Sequence, residues 1–108
     1  MTDILLQDEY RAFGGTVVPS DLEFIDSSGR HLPLSRCEMK IVGLLAGNAN
    51  HTVCRETLLK SMWGTFSVTT RTIDTHVSNL RRKLGQNAKR MIKTVYGAGY
   101  KYVENALA

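Results

Sequence analysis

The chain has 108 residues, 43% of them hydrophobic, enough for one domain with a modest core and too apolar for a disordered segment. Its formal charge of +4 joins two unlike parts: residues 1–38 hold seven acids against three bases, whereas residues 71–101 hold eight bases against Asp74 alone. No run of about 18 apolar residues exists, and MTDILLQDEY lacks the basic start and long apolar stretch of a secretory signal, so the expectation is a cytoplasmic domain with no membrane partner.

Residues 1–12 read as an N-terminal extension or linker remnant, and 13–105 as the folded domain. Between 13 and 34, Thr16-Val17-Val18, Leu22–Ile25 and His31–Leu34 are short extended pieces separated by Pro19-Ser20 and Asp26-Ser27-Ser28-Gly29, the composition of a small antiparallel sheet. Pro33 cannot donate to a sheet ladder and fits only an edge or a strand end. A first helix starts at Ser35, because Glu38 three residues on completes a capping box, and Gly47 with Asn48 stops it. Met39, Ile41 and Val42, with Leu45 or Ala46, form its inner side. Thr52-Val53 suits a short bridging strand, and a second helix runs from about Arg55 to Gly64, with Leu58, Leu59 and Met62 or Trp63 as its apolar side.

Cys37 and Cys54 each stand beside a predicted helix start and lack any clustered Cys/His pattern. Neither a zinc site nor a disulfide is expected of them; buried or half-buried packing roles are.

The third helix, about Arg71 to Leu84, is the most regular element. Ile73, Val77, Leu80 and Leu84 recur at helical spacing as an inner stripe, and Thr72, Thr75, Ser78, Asn79 and Arg82 occupy the other side. Gly85 is the expected C-cap, with a loop at 86–90. Ile92–Tyr96 and Tyr100–Val103 then form a hairpin around Gly97-Ala98-Gly99. Three short helices and a terminal hairpin describe an α+β winged helix-turn-helix: small N-terminal antiparallel sheet, three-helix bundle, C-terminal β-hairpin wing. A helix with an apolar inner stripe and a polar outer face fits the major groove of B-DNA, its bases offsetting phosphate charge and its short polar side chains near base edges.

RTIDTHVSNLRRKLG at 71–85 followed by IKTVYGAGYKYV at 92–103 resembles the C-terminal effector domain of the OmpR/PhoB family of bacterial two-component response regulators. The resemblance extends upstream through residues 32–64 and covers about residues 16–103. It implies a four-stranded N-terminal sheet ahead of the helices and hairpin. It also implies sequence-specific binding to double-stranded DNA, commonly at direct repeats as a head-to-tail homodimer. Family members carry a receiver domain that is phosphorylated on aspartate; this chain has none, so it is either an excised part of a longer regulator or a free-standing variant.

Residue by residue, the resemblance places Thr72, Thr75, Asn79 and Arg82 toward the major groove, and Asn79 has an amide suited to an adenine edge. Arg71, His76, Ser78 and Arg81 match backbone-contact positions, although Arg81 lies well around the helix, where pairing with an acid or supporting the wing is the alternative. Trp63 matches an aromatic that contacts the sugar-phosphate backbone and would look the same as a core residue. Thr94 and Tyr100 match positions that touch phosphate or brace the hairpin. Tyr96, Gly97, Gly99 and Lys101 make up the wing, where Tyr96 stands in place of an Arg that many relatives insert into an A/T-rich minor groove. Gly97 and Gly99 are expected to serve turning and close approach. The connection Gly64–Thr70, which relatives use toward RNA polymerase or DNA, here holds Phe66, Val68 and no charge, so packing of Phe66 competes with a polymerase contact. Asp74, the one acid of the region, is expected to bond a neighbouring group rather than DNA.

No convergent acid–base pair, activated nucleophile or metal-ligand set appears, so neither an enzyme nor a cofactor is expected; His51 beside Cys54 falls at a strand–helix junction where capping or packing suffices. The competing functional class is a protein-docking module using the N-terminal sheet or the helix-two loop, with the basic face incidental.

Overall fold

A computed structural model describes residues 9–62 and 70–104, except for the side chains of Thr70 and residues 86–89. Four short strands come first: β1 (Tyr10–Ala12), β2 (Gly15–Val18), β3 (Glu23–Ile25) and β4 (His31–Pro33), antiparallel and in chain order. The first of them lies inside the stretch expected to be an extension, so the folded unit begins earlier than residue 13. The signal was weak because the strand is three residues long with only Ala12 buried. Phe13 and Gly14, both at positive φ, connect β1 to β2 as a two-residue hairpin whose twist matches that of the strands. Pro33 ends β4, an edge strand, where its missing N–H costs no ladder bond. Asp26 organises the β3–β4 turn by accepting at Oδ1 from Ser28 N, Ser28 Oγ and Arg30 N.

Helix α1 (Arg36–Gly47) opens with the expected capping box: Ser35 Oγ accepts from Glu38 N, and Glu38 Oε1 accepts from Ser35 N at 2.8 Å. Ile41, Val42 and Leu45 are fully buried, and Ala46 only flanks the core. After β5 (Thr52–Cys54), α2 (Arg55–Ser61) buries Leu58 and is followed by buried Met62. Cys37 is buried as expected, but Cys54 is exposed at the N-cap of α2, its Sγ 3.1 Å from Thr57 Oγ1.

Helix α3 spans Thr70–Met91 and is broken at Gly85, whose φ of 89° an L side chain rarely adopts. The glycine stop therefore falls where sequence places it, but the backbone turns helical again through Met91 instead of forming a loop. This extra turn brings Met91 and Ile92 into the core. The predicted inner stripe is buried throughout, with Ile73, Val77 and Leu80 wholly inaccessible and Leu84 nearly so.

The chain ends in β6 (Ile92–Val95) and β7 (Gly99–Tyr102), joined by β5 into a second antiparallel sheet of order β5-β7-β6. The last strand thus lies in the middle, which explains Gly99: a Cβ there would come within 2.2 Å of the Val53 carbonyl oxygen across the ladder. The two sheets meet through Phe13, whose ring packs on Tyr102 at a centroid distance of 4.3 Å and whose N–H donates to the Tyr102 hydroxyl.

Candidate nucleic-acid interface

With its inner stripe sealed, α3 presents an outer face on which Arg71, Thr75, Ser78 and Arg82 are exposed and Thr72, His76 and Asn79 half-buried. Spacings of three and four put Thr72, Thr75, Asn79 and Arg82 along one side. On that side Thr75 Oγ1 donates to the Arg71 carbonyl, and Arg82 Nη2 donates to Asn79 Oδ1. The second holds the Asn79 side-chain oxygen. Trp63, Phe66 and Val68 lie outside the described residues.

The flanks of α3 are used differently. On one flank stand Asp74 and Arg81, two turns apart. Asp74 Oδ1 accepts from Arg55 Nε at 2.7 Å and from the Tyr100 hydroxyl at 2.6 Å, so the lone acid bonds its neighbours. The Tyr100 hydroxyl and the Arg55 guanidinium hold the Asp74 carboxyl below its ordinary value, while burial and the adjacent carboxylate push the Tyr100 phenol up. Arg81 Nη2 donates to the Ile92 carbonyl and to Thr94 Oγ1, each at 2.8 Å. Both guanidinium carbons lie within 5.6 Å of the Tyr100 ring centre, a cation–π arrangement. Tyr100 is only 4% exposed. Of the two uses left open for Thr94 and Tyr100, contact with phosphate or bracing, the contacts seen here are bracing ones.

On the other flank Lys83 donates to Glu38 Oε1 at 2.7 Å and to the Pro33 carbonyl. Glu38 is buried, so the carboxylate that closes the capping box also anchors α3 to the start of α1. Nothing in the sequence signalled this, because the partners are 45 residues apart and the capping box already explained the glutamate. Arg81 and Lys83, two of the cations between 71 and 101, therefore bond other elements of the protein.

The wing tip projects. Tyr96 is 91% exposed, Gly97 has a φ of 79° and Ala98 N donates to the Val95 carbonyl. Register places Lys101 between Lys93 on β6 and Thr52 on β5, on the sheet face opposite buried Tyr100 and Tyr102. Lys101 therefore lies away from the flank of α3 that grips the wing. Among the described residues no group of three or more His, Cys, Asp or Glu could hold a metal ion, and no helix is long and apolar enough to cross a membrane.

A helix pair leading into an outward polar helix, with a hairpin clamped alongside, defines a winged helix-turn-helix DNA-binding domain. The family described as "Transcriptional regulatory protein, C terminal" matches residues 29–102. The regulatory protein VanRB of Enterococcus faecalis is 38% identical over 101 residues, 93% of this chain and 44% of that protein. The transcriptional regulatory protein SrrA of Staphylococcus aureus is 36% identical over 89 residues, 79% of this chain and 37% of that protein. Among solved structures, the DNA-binding domain of CpxR from E. coli superposes with a TM-score of 0.74 at 31% identity, covering 89% of this chain and 96% of that one. The Klebsiella pneumoniae RstA DNA-binding domain in complex with the RstA box gives 0.72 at 29% identity, covering 89% and 97%. DrrB of Thermotoga maritima, an OmpR/PhoB homolog, gives 0.74 at 26% identity, covering 94% and 49%. The chain belongs to the OmpR/PhoB family of response-regulator DNA-binding domains, which act in transcription regulation. It spans less than half the length of the curated relatives it matches.

Proposed function

We propose that the domain recognises a specific double-stranded DNA sequence and controls transcription as the effector part of a bacterial two-component response regulator, in the cytoplasm. The observation that carries this reading is the pairing of a fully buried stripe with an outward polar side on α3, beside a projecting wing tip. Thr72, Thr75, Asn79 and Arg82 are assigned to the major groove, the last two as a hydrogen-bonded unit. Arg71, His76 and Ser78 are assigned to the sugar-phosphate backbone, as is Trp63 on its resemblance to the family aromatic. Arg81, Thr94 and Tyr100 support the wing from within. Tyr96 and the Gly97–Gly99 turn meet the minor-groove side, where a neutral aromatic makes a shallower contact than an arginine in a narrow groove. Lys101 adds positive charge on the wing's other face. Direct-repeat sites, a head-to-tail homodimer on DNA and contact with RNA polymerase belong to the same proposal, supported by the family relationship.

Selection of bound duplexes from a random pool tests it. A shared motif recurring as a direct repeat is the expected outcome, and a selected pool indistinguishable from the input would refute it. Asn79→Ala should erode the preference for the selected motif by about tenfold while leaving random duplex binding unchanged. Equal loss on both duplexes would remove Asn79 from base reading.

A further inference from the structure

The cluster between α2, α3 and the wing does something that individual contacts to DNA do not. Helix α3 holds the hairpin at two separate points: Arg81 grips β6 at Ile92 and Thr94, and Asp74 grips β7 through the Tyr100 hydroxyl. Two attachments on different strands fix both the position and the rotation of the sheet against the helix. Arg55 bonds the same Asp74 oxygen, which adds α2 to the joint. Thr94 and Tyr100 face each other in the ladder, one rung before Val95 and Gly99. Tyr96 is two residues past Thr94, about 7 Å along an extended chain, and it is almost fully exposed. Among the described residues the Thr94–Tyr100 rung is the last point of the hairpin seen bonded to a side chain of the helices; the ladder of β7 with β5 runs one rung further, to Gly99 opposite Cys54, and joint and ladder together set where the tip stands relative to Asn79 and Arg82.

We propose that Asp74 and Tyr100 are positioning residues that lock the wing to the recognition helix, so that the domain reads its major-groove and minor-groove segments at one fixed spacing. This rests on the DNA-binding reading above. Without the lock each element still finds DNA, because the outer face of α3 and the tip remain as they are, but the pair tolerates other spacings. Holding the two reading elements in a bound-like arrangement lowers the ordering cost at the correct spacing only.

Tyr100→Phe removes one hydroxyl and leaves the buried ring and its packing. The test compares the wild-type chain with Tyr100→Phe on three duplexes: the selected site, the same site with one base pair inserted between the segments protected by α3 and by the wing, and a random sequence. Wild type should bind the inserted duplex about tenfold more weakly than the site. In Tyr100→Phe that ratio should fall to about twofold with random-duplex affinity unchanged. Hydroxyl-radical protection under the wing should weaken while methylation protection of major-groove guanines under α3 persists. Asp74→Asn, which keeps an acceptor but not the charge, is expected to narrow the ratio less, and it serves if Tyr100→Phe does not fold. A full spacing penalty in the folded variant, or equal loss on all three duplexes, would overturn the lock. A wild-type chain that fails to prefer the selected site over random DNA would instead overturn the DNA reading on which it rests.

Discussion

The two sheets of this domain are built on opposite principles. The N-terminal sheet follows chain order, each strand pairing with the next, and its turns are held locally by Phe13-Gly14 and by Asp26. The C-terminal sheet inserts its last strand between one from the middle of the chain and its hairpin partner, and side chains from α2 and α3 hold it in place. The first is a scaffold that local chemistry nearly completes. The second is placed by side chains far away in sequence, Arg81, Asp74 and Arg55, so its position follows from how the helices pack.

The comparison can be broken hardest where the two sheets join. Phe13→Ala deletes the ring stacked on Tyr102 and should cost about 3–5 kcal/mol in denaturant unfolding. The remaining folded protein should keep its DNA affinity; loss of affinity at full folding would mean that the N-terminal sheet shapes the interface directly. Leu80→Ala removes an inaccessible side chain from the inner stripe of α3, and about 2–5 kcal/mol of lost stability is expected. A cost near that of a surface change would contradict the burial of α3. Glu38→Ala takes away both the return bond of the capping box and the partner of Lys83, so about 1–3 kcal/mol is expected. Lys83→Met in the same background should then have little added effect, and strictly additive losses would show that the two residues act separately.

Acid titration gives the smallest and most discriminating effect. The folded-state values of Asp26 and Asp74 both lie below the ordinary 3.8, Asp26 chiefly through the Ser28 side chain and Asp74 chiefly through Tyr100. A depressed carboxyl stabilises the fold fully above its unfolded value, and that contribution disappears as pH falls through the folded value. Stability should therefore decline below about pH 4. Asp74→Asn should flatten its share of that decline, and Tyr100→Phe should raise the Asp74 titration midpoint measured by NMR while leaving Asp26 unmoved. A midpoint for Asp74 unaffected by loss of the hydroxyl would contradict the hydrogen bond that joins helix to wing.

Several features were legible because short-range patterns settle them. The inner stripe of α3, the Ser35–Glu38 capping box, the Gly85 stop and the edge position of Pro33 depend on helical spacing, an i to i+3 bond, a positive φ and a missing N–H. Other features resisted for equally physical reasons. Tyr10–Ala12 is too short and too weakly apolar to announce a strand until β2 supplies its ladder. The helical turn after Gly85 reads as a loop in sequence, because the stop signal is visible there while the core that Met91 enters is not. Cys54 reads as a covered side chain from its place beside a helix start, yet the N-cap of α2 leaves it open to solvent.

Charge shows the division most plainly. Sequence alone determined that α3 and the wing are basic and that one side of α3 must be buried, since composition and a 3.6-residue period are properties of the chain itself. Only the tertiary structure decided which of those charges face outward. Lys83 found Glu38 across 45 residues, Arg81 found the Thr94 hydroxyl and Ile92 carbonyl, and Asp74 joined Tyr100 to Arg55. A hydrogen bond is made or missed within a few tenths of an ångström, and that accuracy between distant residues arises only when the packed core has set the angle between helix and sheet.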